Sequence, residues 1–137
     1  METMVVLGIV AMLFFAMVPG FFNALRVFEL KAVARDIVSD LRLAQSRAIS
    51  LKSTVTAEFN PKSLFGDSAF YKIGRQGKSP IKRVNLPSKF NFVETRVIKF
   101  SSSGFPPAGG SGTVLLEDIG GRVKKVIVSS TGRVRME

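Results

Sequence analysis

The chain contains no cysteine and no histidine among its 137 residues. Without cysteine there is no disulfide framework, no thiolate nucleophile and no cysteine-based zinc or iron–sulfur site, and the redox compartment stays open. Without histidine as well, the usual catalytic triads and transition-metal sites lack their bases and ligands. The carboxylates show no spacing that brings two of them together across a cleft. We therefore predict no catalytic residues, no metal site, no cofactor and no enzymatic activity.

Acidic residues are scarce: the chain has 10 of them against 20 basic residues, a net charge of +10. The excess is uneven, because residues 1–52 hold six basic and four acidic groups, whereas residues 53–137 hold fourteen and six. An anionic partner is therefore expected to meet the C-terminal part of the chain.

Charge is missing altogether from residues 3–25, and residues 4–22 are rich in Val, Leu, Ile, Met and Phe. A hydrocarbon core of about 30 Å is crossed by about 20 helical residues, so this segment is long enough to span it. The alternative is a cleavable signal peptide, whose apolar region is shorter, about 7 to 15 residues. We predict that residues 1–25 are a single-pass membrane anchor, in which Pro19 is tolerated because neighbouring helices or lipid surround it.

Residues 26–52 have the period of an amphipathic helix. An apolar stripe recurs at steps of three and four residues, and charged residues occupy the other faces. The stripe consists of Leu30, Val33, Ile37, Leu41, Ala44, Ala48 and Leu51, and the charged residues are Glu29, Lys31, Arg35, Asp36, Asp40, Arg42 and Arg47. We expect one long helix, with its first half in the membrane and its second half packed on a domain.

Residues 53–137 change to short β-favouring runs separated by turn residues. The predicted strands are 55–59, 70–73, 81–84, 90–93, 97–100, 113–117, 122–128 and 133–136, and Gly120-Gly121 is predicted to be a two-residue hairpin turn. The fold class is α+β: a long N-terminal helix packed on a small antiparallel domain of one sheet or two.

A family resemblance covers nearly the whole chain. Glu2, the run Thr3-Met-Val-Val-Leu-Gly-Ile-Val-Ala-Met-Leu and the later Pro19 resemble the N-terminus of type IV pilins and pseudopilins. The stretch Leu30-Lys-Ala-Val-Ala-Arg-Asp-Ile, the segment Ile98-Lys-Phe-Ser-Ser-Ser-Gly-Phe-Pro and the ending Val126-Ile-Val-Ser-Ser-Thr-Gly-Arg-Val-Arg resemble the GspH/FimT minor pseudopilins. The resemblance implies a subunit of a type II secretion pseudopilus or a type IV pilus, assembled with other pilins through its N-terminal helix. It also implies an inner-membrane anchor and a periplasmic domain.

In that class a short basic leader with a Gly-Phe junction precedes the acidic residue and is cut by prepilin peptidase. Here Met1 stands directly before Glu2, and the basic residues nearest the apolar run, Arg26 and Lys31, follow it. By the positive-inside bias this arrangement alone places the domain in the cytoplasm. We therefore expect the natural chain to begin further upstream, with a leader that corrects the orientation and is cut by the peptidase.

Glu2 is the predicted assembly residue, together with Pro19. A carboxylate inside a bilayer is costly, so it is normally paired or placed near the interface. The resemblance implies that Glu2 pairs with the α-amino group of a neighbouring subunit and sets the register of assembly. The alternative is that Glu2 lies in water.

The ending Gly132-Arg-Val-Arg135 suggests contact with nucleic acid. In a strand, Arg133 and Arg135 share a face and lie about 6.6 to 6.8 Å apart, close to the spacing of successive phosphates on one strand. In FimT-like proteins this ending is associated with DNA binding during natural transformation, which makes Arg133, Arg135, Arg122, Lys124 and Lys125 candidates for contacting DNA phosphates without sequence specificity. The alternatives are a solvated edge strand and a basic face for anionic lipid.

Overall fold

The computed structural model describes residues 2–137; Met1, the first residue of the predicted membrane half, lies outside this range. A single helix, α1 (Glu2–Ser50), continues without a break through Pro19 and Gly20. Because Pro19 has no N–H, the Phe15 carbonyl lacks its usual helical partner. Residues 2–29 of α1 are exposed, and burial begins at Leu30.

Eight strands form two four-stranded antiparallel sheets. Sheet A has the order β3-β2-β1-β5, and its strands are β1 (Val55–Asn60), β2 (Phe70–Arg75), β3 (Pro80–Asn85) and β5 (Arg96–Phe100). Sheet B has the order β4-β6-β7-β8, and its strands are β4 (Phe90–Phe92), β6 (Gly112–Asp118), β7 (Val123–Val128) and β8 (Val134–Met136). The predicted α+β class, with a long helix on antiparallel sheets, is confirmed, and all eight predicted strands are present.

The second half of α1 packs on both sheets and closes the core between them. Its buried apolar residues are Leu30, Ala34, Ile37, Leu41, Ala44 and Ala48, which follow the predicted stripe except that Ala34 is buried and the predicted Val33 is half-buried. Two other predicted positions differ. Leu51 is exposed because the helix ends at Ser50. Asp40, predicted to lie on a charged face, is buried with 7% of its surface exposed.

An aromatic cluster joins the two sheets. Phe59 of β1 stacks on Tyr71 of β2 with ring centroids 5.4 Å apart, and Phe92 of β4 meets the Phe59 ring edge-on at 5.3 Å. Edge-to-face and offset-stacked pairs add to the stabilisation that comes from burying the rings. The cluster therefore links sheet A to sheet B beneath α1.

Two turns of nearly identical sequence and geometry lie beside the C-terminal end of α1, at the end of the domain away from residues 2–29. Each turn is closed by a hydrogen bond from the backbone N–H of its first residue to the carbonyl of its last. The distance is 2.9 Å in the turn Ser101–Phe105 and 3.0 Å in the turn Ser129–Arg133. In each turn the first serine hydroxyl also contacts the hydroxyl two residues on. Gln45 of α1 joins the turns, because its Nε2 donates to the Gly104 carbonyl at 2.8 Å and to the Gly132 carbonyl at 3.3 Å.

The β6–β7 hairpin differs from the prediction of a two-residue Gly120-Gly121 turn. Asp118 N donates to the Arg122 carbonyl and Gly121 N donates to the Asp118 carbonyl, each at 3.0 Å, so the loop has three residues, 119–121. Gly121 adopts a positive φ of 74°, as the last residue of such a loop requires. Ile119 therefore belongs to the loop and points to solvent with 80% of its surface exposed.

Candidate functional site

The first half of α1 is an exposed apolar rod. It carries a run of exposed large apolar side chains from Met4 to Phe28, including Phe15 at 83% exposure. A contiguous apolar surface of this extent marks contact with a membrane or with other protein chains. By length and composition, α1 can cross a membrane.

Glu2 and Pro19 lie on this rod. Glu2 is the first helical residue, and its carboxylate lies at the positive end of the helix dipole. Pro19 lies in the interior of the apolar rod, with Phe21 and Phe22 following it one turn before the first basic residue, Arg26. The predicted assembly residues are therefore at the start and in the interior of the exposed apolar half.

A polar cluster around the buried Asp40 carboxylate fastens α1 to sheet A. The Tyr71 hydroxyl donates to Asp40 Oδ2 at 2.5 Å, and Lys82 Nζ of β3 donates to Oδ1 at 2.6 Å. Burial raises the pKa of the Tyr71 phenol above its usual range, and the hydrogen bond to Asp40 and the negative charges of Asp40 and Asp36 raise it further. The cluster binds one side chain of the helix to two strands of the domain.

Arg133 and Arg135 lie on the outer surface at the edge of sheet B. Both are exposed, and the residue between them, Val134, is buried, which is the alternation that the sequence predicts. Arg133 precedes β8, and Arg135 lies opposite Ile127 of β7. Arg135 Nη2 is 3.5 Å from Glu137 Oε1, in an exposed ion pair that leaves the guanidinium accessible.

The five candidate DNA-contacting residues do not form one patch. The backbones of Lys125 and Glu137 exchange two hydrogen bonds, which continue the pairing of β7 with β8. The Lys125 side chain is exposed on the same side of the sheet as Arg135. Lys124 instead lies on the side of β7 that carries the buried Val126 and Val128, the side that packs on α1. Arg122 lies beside the middle of the helix, where its Nη1 donates to the Asn23 carbonyl at 3.4 Å.

Two further arginines, which the sequence predicts only to lie on a charged face of the helix, are close to Arg135. Arg35 and Arg42, seven residues apart on α1, line a groove together with Arg135. The groove also contains Ser39, Val38, Val134 and Met136. The available signal was the seven-residue spacing, which puts both guanidiniums on one face of a helix, but only the fold brings β8 beside that face.

Carboxylates are dispersed in the part of the chain that the structure describes. Among residues 2–137 there is no group of three or more acidic, His or Cys side chains that could hold a metal ion. Asp118 caps its own turn by accepting from Arg122 N at 3.1 Å, and Glu94 pairs with Arg96 at 2.9 Å. These groups have local structural partners.

Comparisons with known proteins agree with this architecture. Residues 33–132 match the family described as "Type II transport protein GspH". The fold is similar to that of the type IV minor pilin FimU from Pseudomonas aeruginosa in two crystal forms. The first has a TM-score of 0.58 and 17% identity, covering 78% of this chain and 91% of that one. The second has a TM-score of 0.57 and 19% identity, covering 80% and 88%.

At these identities the likeness to FimU shows the fold alone: a long apolar helix packed on small antiparallel sheets. A search of curated proteins gave no significant match. The family match is different in kind, because it spans most of the chain and includes most of the buried half of the helix and strands β1 to β7. The protein therefore belongs to the GspH family of pilin-like proteins.

Proposed function

We infer that this protein is a minor pseudopilin, a structural subunit of a type II secretion pseudopilus or a type IV pilus. The observation that carries the proposal is the division of α1 into two halves. The domain covers the helix only from Leu30 onward, whereas residues 2–29 remain exposed. An apolar rod projecting from a folded domain is stable in a bilayer before assembly and among other apolar helices after it.

In this proposal the subunit is anchored in the bacterial inner membrane, with its domain in the periplasm. Prepilin peptidase is a further partner of this proposal if a basic leader exists. In the assembled filament, the Glu2 carboxylate pairs with the α-amino group of a neighbouring subunit. An unpaired carboxylate in an apolar core costs about 2.5 to 3.5 kcal/mol on insertion scales, so pairing selects one register.

Co-assembly of a Glu2→Ala variant with the partner pilins tests this role. We expect the variant to insert into the membrane like the wild type and to be depleted from sheared filaments, because the register contact is lost. Glu29→Ala is the matched control, since Glu29 is an exposed helix carboxylate outside the apolar run. Equal incorporation of Glu2→Ala and wild type would refute the proposed role of Glu2.

The proposed role is structural, and the two host systems are distinguished by their genes. Neighbouring genes for a secretion ATPase and a secretin favour type II secretion, whereas competence genes favour a transformation pilus. The partners expected in either system are other pilins in the same filament.

A second candidate function is DNA binding during uptake by a transformation pilus. The observation that favours it is the convergence of Arg135 with Arg35 and Arg42 on one groove, with Arg133 exposed beside it. Guanidiniums are suited to phosphate because they present a planar set of donors. Lys125 extends this surface, which would bind the backbone without reading sequence. Binding of duplex DNA by the full chain at several salt concentrations tests this function.

A further inference from the structure

The β6–β7 hairpin lies beside the point where the apolar run of α1 ends. Arg122 Nη1 donates to the carbonyl of Asn23 at 3.4 Å. Asn23 lies near the end of the charge-free segment 3–25, and Arg26 is the first charged residue beyond it. The tip of the hairpin is therefore level with the end of the apolar segment.

This end of the domain combines an apolar tip with basic side chains. Ile119 is 80% exposed, and its backbone N–H donates to the Lys89 carbonyl at 3.0 Å, which holds Lys89 beside the tip. Arg122 and Lys124 follow within the same hairpin. Apolar groups ringed by long cationic side chains are suited to a membrane interface, where the apolar part enters the acyl boundary and the charged ends reach phosphates.

The apolar tip is continuous with the surface of the helix. A groove runs between them, lined by Phe22, Leu25 and Phe90 together with Ile119, with Arg26 and Lys89 at its rim. The groove also contains two carboxylates, and both have partners: Glu29 pairs with Lys89, and Asp118 caps the hairpin turn. The surface is therefore apolar next to Phe22 and becomes basic at Arg26 and Lys89.

The length of the apolar segment sets the depth of this surface. Twenty helical residues span about 30 Å, so a helix that crosses the hydrocarbon core from residue 3 leaves it near residue 22. Asn23, and the hairpin bonded to it, then lie at the headgroup level.

We propose that the hairpin tip at Ile119, with Lys89 beside it and Arg122 and Lys124 further along the same hairpin, docks the domain onto anionic lipid headgroups of the membrane that α1 spans. The proposal rests on the membrane anchorage proposed above. It assigns Arg122 and Lys124 to lipid phosphate and leaves Arg133 and Arg135 free on the other side of sheet B. Docking holds the subunit in one orientation before assembly, and drawing it into a filament breaks the contact.

Tryptophan fluorescence tests the proposal, because the natural sequence contains no tryptophan. Three variants of the full chain, Ile119→Trp, Phe14→Trp and Phe105→Trp, are each reconstituted into phosphatidylglycerol-containing vesicles with brominated acyl chains. Position 14 lies within the apolar rod. Position 105 lies in a turn held by Gln45, about 33 Å further along the helix than Asn23. We expect strong quenching for Phe14→Trp, intermediate quenching for Ile119→Trp and none for Phe105→Trp.

The outcomes separate the two proposals. If Phe14→Trp is not quenched, the anchorage itself fails. If Phe14→Trp is quenched while Ile119→Trp is as unquenched as Phe105→Trp, the docking proposal is overturned and the anchorage stands.

Charge removal tests the role of the basic residues. Adding Arg122→Gln and Lys124→Gln to Ile119→Trp should lower its quenching at least about twofold, as should replacing phosphatidylglycerol by phosphatidylcholine. Lys52→Gln with Lys78→Gln removes the same charge at the far end of the domain and should change nothing. Equal quenching in all these samples would overturn the proposal. Loss of duplex DNA binding on Arg122→Gln with Lys124→Gln, with lipid docking unchanged, would assign the hairpin to DNA instead.

Discussion

The Tyr71 hydroxyl donates a 2.5 Å hydrogen bond to the Asp40 carboxylate, joining the helix to sheet A inside the domain. Lys82 binds the other oxygen of the same carboxylate at 2.6 Å. Because buried charges are stable only when they are paired and hydrogen-bonded, both partners are needed to keep Asp40 inside. The cluster is a polar connection between sheet A and α1. We propose that α1 is the element that holds the subunit in a filament.

The Tyr71 phenol should resist ionisation in the folded protein. Its pKa is raised by burial, and further by the hydrogen bond to Asp40, so the folded state retains the proton at pH values where the unfolded chain, with a tyrosine pKa of about 10, releases it. This contribution to stability is complete below pH about 10 and is lost as the pH rises further. Tyr71 is the sole tyrosine, so the near-ultraviolet absorbance of phenolate reports it alone.

In an alkaline titration we therefore expect phenolate absorbance to appear together with loss of folded circular dichroism, and to appear near pH 10 in denaturant. Phenolate that forms near pH 10 while the fold persists would contradict the burial of this hydroxyl.

Truncation of Asp40 should weaken the attachment of the domain to the helix. Asp40→Ala leaves the Tyr71 hydroxyl without its acceptor and Lys82 without its counter-ion, and we expect a loss of about 2 to 4 kcal/mol in the free energy of unfolding. Lys82 is partly exposed and regains water, which keeps the loss in this range. Chemical denaturation in a mild detergent measures it. Asp36→Ala removes an exposed carboxylate one turn earlier and should cost less than about 0.5 kcal/mol.

The helix and strands were predictable because their signals are local. Apolar spacing marked α1, and alternation with turn residues marked all eight strands. Asp40 was misplaced because its partners, Tyr71 and Lys82, come from strands more than thirty residues away. A carboxylate next to an apolar stripe resembles a solvated residue until those partners are known.

The basic site was only partly predictable for the same reason. Alternation along the chain places Arg133 and Arg135 on one face, and the structure agrees. The same rule puts Lys124 and Lys125 on opposite faces of β7, yet which face packs on α1 depends on the tertiary structure. The approach of β8 to Arg35 and Arg42 likewise follows from the packing of sheet B on the helix.

Gly132 should be sensitive to substitution because two effects combine there. Its φ is +77°, and an added Cβ would lie 2.9 Å from Gln45 Nε2 and 3.1 Å from the Gly104 carbonyl oxygen. Gly109 has a similar φ of +75° with open space around it. We expect Gly109→Ala to cost about 1 kcal/mol from backbone strain alone and Gly132→Ala about 2 to 3 kcal/mol. Equal losses in denaturation would show that the contact with Gln45 contributes nothing.

Salt dependence tests whether the proposed basic residues contact DNA phosphates. If Arg35, Arg42, Arg133 and Arg135 neutralise four phosphates, log K for duplex DNA should fall with log salt concentration at a slope of about −3.6. Arg133→Gln with Arg135→Gln should reduce the slope to about −1.8, because two contacts are removed.

The control for this measurement is a pair on the other side of sheet B. Arg122→Gln with Lys124→Gln removes the same net charge, but Arg122 contacts Asn23 of α1 and Lys124 lies on the side of β7 that faces α1, so the slope should stay close to that of the wild type. Filter binding or fluorescence anisotropy of the full chain in detergent measures all three proteins. If both double variants lowered the slope equally, attraction would depend on net charge alone. The groove between α1 and β8 would then have no special part in binding, and a wild type that failed to bind at low salt would remove DNA uptake as a function.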